Sequence, residues 1–229
     1  MNRPAHALQA AFYRQFLSPG DVCFDIGANT GEKTAVFLEL GAKVVAVEPQ
    51  AECAETLRGK FGDNPNCTIV EKALGASEGE GIMYKNDLSV LSTLSTDWIN
   101  RMSESGRFQG ALWRQQISVP LTSLDRLLEQ HGVPAFCKID VEGYEYQVLQ
   151  GLTRPLPTLS IEFAEETIHL TLRCIERLQQ LGDYEYNCVK AENMSLELDR
   201  WVDAEAISSH LGQRTEPFMW GDIYARQKR

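Results

Sequence analysis

The feature that most limits what this chain folds into is its rhythm. Short apolar runs that do not alternate, such as Val22-Cys23-Phe24-Asp25-Ile26 and Val44-Val45-Ala46-Val47, are separated by segments whose apolar residues recur at helical spacing. An unalternating strand suits a sheet covered on both faces, and parallel strands need a crossover helix between them. The pattern predicts an α/β fold with a doubly wound, mostly parallel sheet and helices on both faces.

The expected elements follow in order. Leu8, Phe12 and Phe16 share one helical face, so residues 1–20 read as a lead-in or lid helix stopped by Ser18-Pro19-Gly20. A strand at Val22–Ile26 runs through a glycine turn into a helix over about 30–40. A strand at Lys43–Val47 and a helix at Ala51–Phe61 come next, with Ala54, Leu57 and Phe61 inward, then a strand over 68–74. Thr122-Ser123-Leu124-Asp125 resembles a capping box and opens a helix carrying Leu124, Leu127 and Leu128. Next are a strand over 136–140, a helix burying Tyr144, Val148, Leu149 and Leu152, a strand over 159–163 and a helix with Ile168, Leu172, Ile175 and Leu178 in register. Strands at Tyr184–Lys190 and 219–225 close the chain, joined by an irregular excursion. The 229 residues fit one large domain, 1–229, better than two small ones. Over 86–116 the rhythm breaks into Ser, Thr and Gly with Trp98, Met102, Phe108 and Trp113. That insertion is either a substrate cap or a helical insertion whose aromatics complete the core.

A formal net charge of -10, from 32 acidic and 22 basic residues, gives no general attraction to phosphate backbones or anionic lipid. Neither nucleic acid nor a membrane is expected as a partner, and the basic residues within 226–229 read as a solvated tail. Six cysteines stand singly, without zinc-ligand spacing or a disulfide framework, and no apolar run approaches the ~20 residues of a membrane span. With no leader-like stretch at the start, a cytoplasmic protein is expected.

The densest chemistry lies in Asp25-Ile26-Gly27-Ala28-Asn29-Thr30-Gly31, a strand entering a glycine-bearing turn before a helix. Gly27 and Gly31 allow a sharp turn and close approach to a ligand, and the helix start offers free N–H groups. The next strand ends in Glu48, placed where a ribose diol needs an acceptor; alternatively it is a solvated strand-end carboxylate. A dinucleotide is disfavoured because Asn29 stands where the second fingerprint glycine belongs. A phosphate-binding loop over Gly27 to Thr34 is spoiled by Glu32 in place of its second glycine, and Asp25 adds repulsion. A cofactor with a sulfonium, an amino acid portion and a ribose but no phosphate suits Asp25 and Glu48, which describes S-adenosylmethionine.

Phe24-Asp25-Ile26-Gly27-Ala28-Asn29-Thr30-Gly31, Val45-Ala46-Val47-Glu48-Pro49, Leu121-Thr122-Ser123-Leu124-Asp125 and Lys138-Ile139-Asp140-Val141-Glu142-Gly143-Tyr144-Glu145 together resemble, in that order, the FkbM-type methyltransferases. The resemblance spans about 21–163. It implies a seven-stranded sheet whose last strand is antiparallel, and methylation of a hydroxyl on a sugar or natural product with S-adenosylhomocysteine as the other product. It places Asp25, Gly27, Asn29 and Gly31 at the methionine portion, with Ala28 and Thr30 in the same turn, Glu48 at the ribose, and the chain near Ala73 at the adenine. The polar adenine contact usual after the third strand is not evident in Lys72-Ala73-Leu74.

Asp140 and Glu142 follow the fourth main strand, at the sheet edge where open α/β folds bind ligands, and so should border the methyl group. In-line methyl transfer needs the acceptor oxygen held about 3 Å from the methyl and its proton removed as the bond forms. The candidate bases are Asp140, Glu142, Glu162 and His169. His169 has the pKa for that role, or is a surface histidine, because it lies off the face defined by Ile168 and Leu172. Asp140, Glu142 and Glu162 could instead hold a divalent metal, the less favoured reading. The alternatives to O-methylation are an inert methyltransferase-like scaffold and N-methylation of a protein side chain.

Overall fold

The computed structural model describes residues 3–213 and 217–228. Residues 1–2 of the lead-in segment, 214–216 of the closing excursion and 229 of the basic tail lie outside the described residues.

In chain order the strands are β1 (Val22–Ile26), β2 (Lys43–Val47), β3 (Cys67–Val70), β4 (Ala73–Leu74), β5 (Gly79–Lys85), β6 (Gln115–Thr122), β7 (Phe136–Ile139), β8 (Thr158–Ala164), β9 (Tyr184–Lys190) and β10 (Trp220–Gln227). The helices are α1 (Arg3–Tyr13), α2 (Glu32–Glu39), α3 (Ala51–Phe61), α4 (Thr96–Ser105), α5 (Leu124–His131), α6 (Glu145–Gln150), α7 (Ile168–Leu181) and α8 (Ala204–Gly212). Seven strands form the main sheet in the order β3-β2-β1-β7-β8-β10-β9. The pairs among β3, β2, β1, β7 and β8 are parallel, and β10 runs antiparallel to both of its neighbours. This is the expected mostly parallel sheet with an antiparallel last strand. Strand order reverses at β1, which makes the carboxyl ends of β1 and β7 the crevice for a ligand.

Both faces of this sheet are apolar, as the unalternating strands require. On one face Phe24, Ile26, Ile139 and Ile161 pack with Leu127 of α5, Leu149 of α6, Ile175 of α7 and Ile207 of α8. On the other, Cys23, Val44, Phe136 and Tyr224 meet Phe12 and Tyr13 of α1 and Val36 and Phe37 of α2. Five of the six reduced cysteines are buried and serve as small apolar fillers.

Several sequence expectations need correction. The run over 68–74 is not one strand: Glu71 and Lys72 break it, and β4 leaves the main sheet to pair with β6. β4, β6 and the antiparallel β5 make a second, three-stranded sheet. Gly79 and Gly81 in β5 and Pro120 in β6 weaken the strand signal in just these segments, which hid them. α1 ends at Tyr13, well before Ser18-Pro19-Gly20. Leu8 is 50% exposed while Ala10, Phe12 and Tyr13 pack inward with Val36 and Phe37 of α2. The buried face of α7 runs through Leu170, Cys174, Ile175 and Leu178, with Ile168 and Leu172 at its margin, and Tyr144 precedes α6 half-buried. The basic residues at 226 and 228 are no free tail: Arg226 belongs to β10, pairs with Glu185 and lies over Trp201, and Lys228 pairs with Asp183. No described helix is long and apolar enough to cross a membrane.

The insertion over 86–116 packs largely on itself. Trp98 and Met102 of α4 join Leu91, Phe108 and Trp113 in a small core of their own against Ala164, and the Trp113 indole donates to Leu91 O at 2.6 Å. Ser95 caps α4 by accepting from Trp98 N. The aromatics are therefore structural. Ser89, Val90 and Ser92, ahead of α4, line the pocket described next.

Candidate active site

A pocket of about 630 Å³, counted out to its open mouth, lies at the carboxyl ends of β1, β2 and β7. Its floor is Ile26, Gly27 and Val47. Glu48, Asp140 and Glu142 bring acids to its walls, and Ala73, Leu74, Met83, Val90 and Leu94 make one end apolar. Gly27 has φ +83°, and a Cβ there would fall 1.8 Å from Asp140 O, so only glycine lets the turn after β1 pass so close to the chain leaving β7.

The turn is locked by polar contacts. Asn29 takes φ +46°, a left-handed conformation that asparagine tolerates, and its N–H donates to Glu48 Oε2 at 2.9 Å. Gln50 N donates to Glu48 Oε1 at 2.9 Å. Each carboxylate oxygen of Glu48 thus holds one backbone donor and keeps a lone pair for another. Burial pushes the Glu48 carboxyl above its ordinary value, while these two backbone donors pull the other way. The insertion closes over this end: Asn29 and Ser89 exchange side-chain hydrogen bonds, and Gln50 Nε2 donates to Ser89 O at 3.1 Å.

The opposite end is crowded with acids. Among the described residues, Asp140, Glu142 and Glu162 are the one group of three or more His, Cys, Asp or Glu whose ligand atoms lie within 4.8 Å of one another. Glu142 sits at φ +55°, and its carbonyl accepts from Thr93 Oγ1 at 2.6 Å. Burial first, then the Asp140 and Glu145 carboxylates, push the Glu142 pKa well above the usual range; burial and then Glu142 and Asp140 do the same to Glu162. The nearby cation is buried Lys138, whose Nζ meets Asp140 Oδ2 at 2.5 Å. Burial alone would lower its pKa, but Asp140, Asp222 and Asp25 hold it well above the ordinary lysine value.

The structure sorts the expected site residues. Gly27, Asn29, Glu48, Ala73, Asp140 and Glu142 all line the pocket, and Glu162 joins the last two from β8. Asp25 does not line it. Its carboxylate points to the α1 and α2 side, is 1% exposed, and accepts from Thr34 Oγ1 at 2.6 Å; burial raises its pKa. Ala28 is buried with Ala46 and Leu57, Gly31 faces Phe61 and Leu57, and Thr30 lines a neighbouring groove with Glu52 and Lys85. His169 is exposed and pairs with Asp97 of α4 at 2.9 Å, and it is not among the residues of the pocket. Sequence reasoning missed Gln50 and Tyr144, which sit in the turns after β2 and β7, and Ser89, Ser92 and Met83, which folding back of the insertion and of the second sheet brings to the pocket.

The pocket fits the expected cofactor on its own chemistry. Its walls carry three acids against Lys72 alone, which opposes phosphates and suits a cation; the Gly27 cradle admits a ligand close to the backbone; and buried Gln50 Oε1 has no partner of its own. Comparison with known proteins agrees. The sequence model of the methyltransferase FkbM domain matches residues 25–182. The hexuronic acid methyltransferase AglP of Haloferax volcanii is 28% identical over 148 residues, 63% of this chain and 55% of its own, so the chain spans about half the length of that curated relative. Among solved structures, precorrin-6y C5,15-methyltransferase of Geobacter metallireducens superposes with TM-score 0.50 at 13% identity, over 97% of this chain and 87% of that one. A TehB-like SAM-dependent methyltransferase of Corynebacterium glutamicum does so with TM-score 0.50 at 8% identity, over 96% and 88%. These two likenesses are of fold. With more than two thirds of its length matched by the family's own sequence model, the chain belongs to the FkbM family of S-adenosylmethionine-dependent methyltransferases.

Proposed function

We propose that this protein transfers the methyl group of S-adenosylmethionine to a hydroxyl of a sugar. The observation that carries the reading is the placement of Glu142, which both lines the cofactor pocket and belongs to the carboxylate trio with Asp140 and Glu162. The bound cofactor supplies a methyl carbon made electrophilic by its sulfonium. Glu48 accepts from the ribose diol, Gly27 and Asn29 shape the turn beneath the methionine portion, and Ala73, Leu74 and Met83 give the adenine an apolar slot. Asp140, anchored by Lys138, would face the methyl group from the wall of the pocket. A carboxylate of the trio would take the proton of the acceptor hydroxyl, and burial with neighbouring acids raises the pKa values of Glu142 and Glu162 toward that task. Closely spaced acids also complement the charge of the cofactor.

The likeness to a hexuronic acid methyltransferase favours a uronic acid glycoside as acceptor. A second reading of the trio is a divalent cation held by Asp140, Glu142 and Glu162, which would bind the acceptor hydroxyl and lower its pKa. The test is a panel of uronic acid glycosides, neutral glycosides and peptides incubated with methyl-labelled cofactor, with and without chelator, and product analysis by mass spectrometry. Methyl ethers of a sugar are expected. Methyl on a peptide nitrogen would contradict the acceptor class, methyl ester on the uronic carboxyl would contradict the hydroxyl, and loss of turnover on chelation would select the cation reading.

A further inference from the structure

The four tryptophans are not used alike. Trp98 packs edge-on to Trp113 in the insertion's own core, Trp113 donates to Leu91 O, and Trp201 carries the Arg226 guanidinium 4.1 Å from its ring centre. Trp220 is 39% exposed, and two residues before it Phe218 is 45% exposed. A single apolar side chain on a surface needs no explanation, but two aromatics at one end of a strand do when that end is the ligand-binding edge of the sheet.

Strand register sets Trp220 against the carboxylate trio. β10 pairs Asp222 with Glu162 and Trp220 with Ala164. Met219 and Ile223 join the core under α5 to α8 and Tyr224 joins the α1 and α2 side, so alternation turns Trp220 and Asp222 to the α1 and α2 side. Glu162, between the core residues Ile161 and Phe163, and Asp140, one past Ile139, turn the same way. Trp220 is thus the diagonal cross-strand neighbour of Glu162, about 7–8 Å away along the sheet and within reach of an aromatic side chain. Phe218 is fixed near it through Arg107, whose guanidinium lies 5.4 Å from the Phe218 ring centre while it pairs with Glu166 and donates to Met219 O. Arg107 also acts by its charge on the Glu142 carboxyl. Both aromatics therefore border the trio from β10, on the side away from the pocket walls at β1 and β2.

That side is the ground left for an acceptor, because the cofactor takes the pocket and the acceptor hydroxyl has to meet the trio. Resting on the sugar-acceptor reading, we infer that Trp220, flanked by Phe218, is the stacking platform for the pyranose ring of the acceptor. A pyranose carries C–H groups on its faces and hydroxyls round its rim. An exposed indole covers one such face as apolar area and leaves the rim free for the acids. A carboxylate accepts from any hydroxyl within reach, so the platform, by fixing the ring, decides which hydroxyl is presented to the methyl.

The experiment is steady-state kinetics with S-adenosylmethionine and two acceptors, methyl β-D-glucuronide and methyl β-D-glucoside, for wild type, Trp220→Ala, Trp220→Tyr and Phe218→Ala. Calorimetric titration of S-adenosylhomocysteine and sedimentation velocity accompany it. In Trp220→Ala the acceptor KM should rise about tenfold with kcat within about twofold, because a contact made equally in ground and transition state is lost. Affinity for S-adenosylhomocysteine should stay unchanged, Trp220→Tyr should restore most of the KM, and Phe218→Ala should raise it about threefold. An unchanged acceptor KM in Trp220→Ala overturns the inference, and so does a fall in kcat and in cofactor affinity along with KM, which is the mark of a structural role. A wild-type dimer that Trp220→Ala dissociates overturns it too, since the patch is then a contact between copies of the chain. Should Trp220→Ala fail to fold, saturation-transfer NMR of either glycoside with wild type and S-adenosylhomocysteine decides: saturation concentrated on the hydrogens of one ring face is expected, and saturation spread evenly round the ring overturns the inference. Methyl transfer to neither glycoside by wild type overturns the sugar reading itself, whereas every other contrary outcome removes the platform alone.

Discussion

The two ends of the pocket are built on opposite terms. Around Glu48 charge is met: each oxygen has a backbone donor, the turn through Asn29 is pinned, and the insertion is tied down through Ser89. Around Glu142 charge is crowded: Asp140, Glu142 and Glu162 converge, Glu145 adds to them, and Lys138 is spent on Asp140. The first is the arrangement of a binding site, in which geometry is settled before the ligand arrives. The second gathers acids whose pKa values burial and one another's charges push up. On the proposed reading, recognition falls to the ends of β1 and β2 and chemistry to the ends of β7 and β8.

The largest effect that would break this contrast is at Glu142. Glu142→Gln keeps the shape but removes a proton acceptor, and turnover should fall about 10²- to 10⁴-fold while S-adenosylhomocysteine affinity changes little. An equal loss of both in the labelled-methyl assay and in calorimetry would place Glu142 in the binding half. Gly27→Ala comes next: a Cβ 1.8 Å from Asp140 O at φ +83° should cost upward of about 3 kcal/mol of stability and cofactor binding with it, read by denaturant titration.

Crowding also predicts a pH dependence. Burial raises the Glu145 carboxyl from 4.5 to about 7. A raised carboxyl contributes stability that is fully present below its unfolded value and lost as pH rises through the folded one. The ligand-free protein should therefore lose roughly 3 kcal/mol between about pH 4.5 and pH 7.5 from this group, and Glu145→Gln should flatten the slope. A melting profile that rises over the same window would show the acids to be paired rather than crowded. The smallest effect is at His169: exposed and bonded to Asp97, it should tolerate His169→Ala with turnover within about twofold. A hundredfold loss would return it to the reaction.

What the sequence made legible follows the same division. The sheet was readable because Val22–Ile26 and Lys43–Val47 carry no alternation, and Glu48 and Asp140 because residues at strand tips point to one edge whatever the loops do. That Asp25 turns away from the described pocket was not legible for a related reason. Its neighbours in the strand alternate, Cys23 to the α1 side and Phe24 to the other, and periodicity alone does not say which side meets the ligand. Gln50 and Ser89 were out of reach because they meet across 39 positions, through an insertion whose flanking strands are disguised by Gly81 and Pro120.

The central claim is that the crevice between β1 and β7 holds S-adenosylmethionine. Titration of the purified protein with S-adenosylhomocysteine, with NAD and ATP as controls, tests it most directly. Saturable binding of S-adenosylhomocysteine alone, lost in Gly27→Ala, is the predicted result; binding of ATP or NAD instead, or no binding by the folded protein, would contradict it.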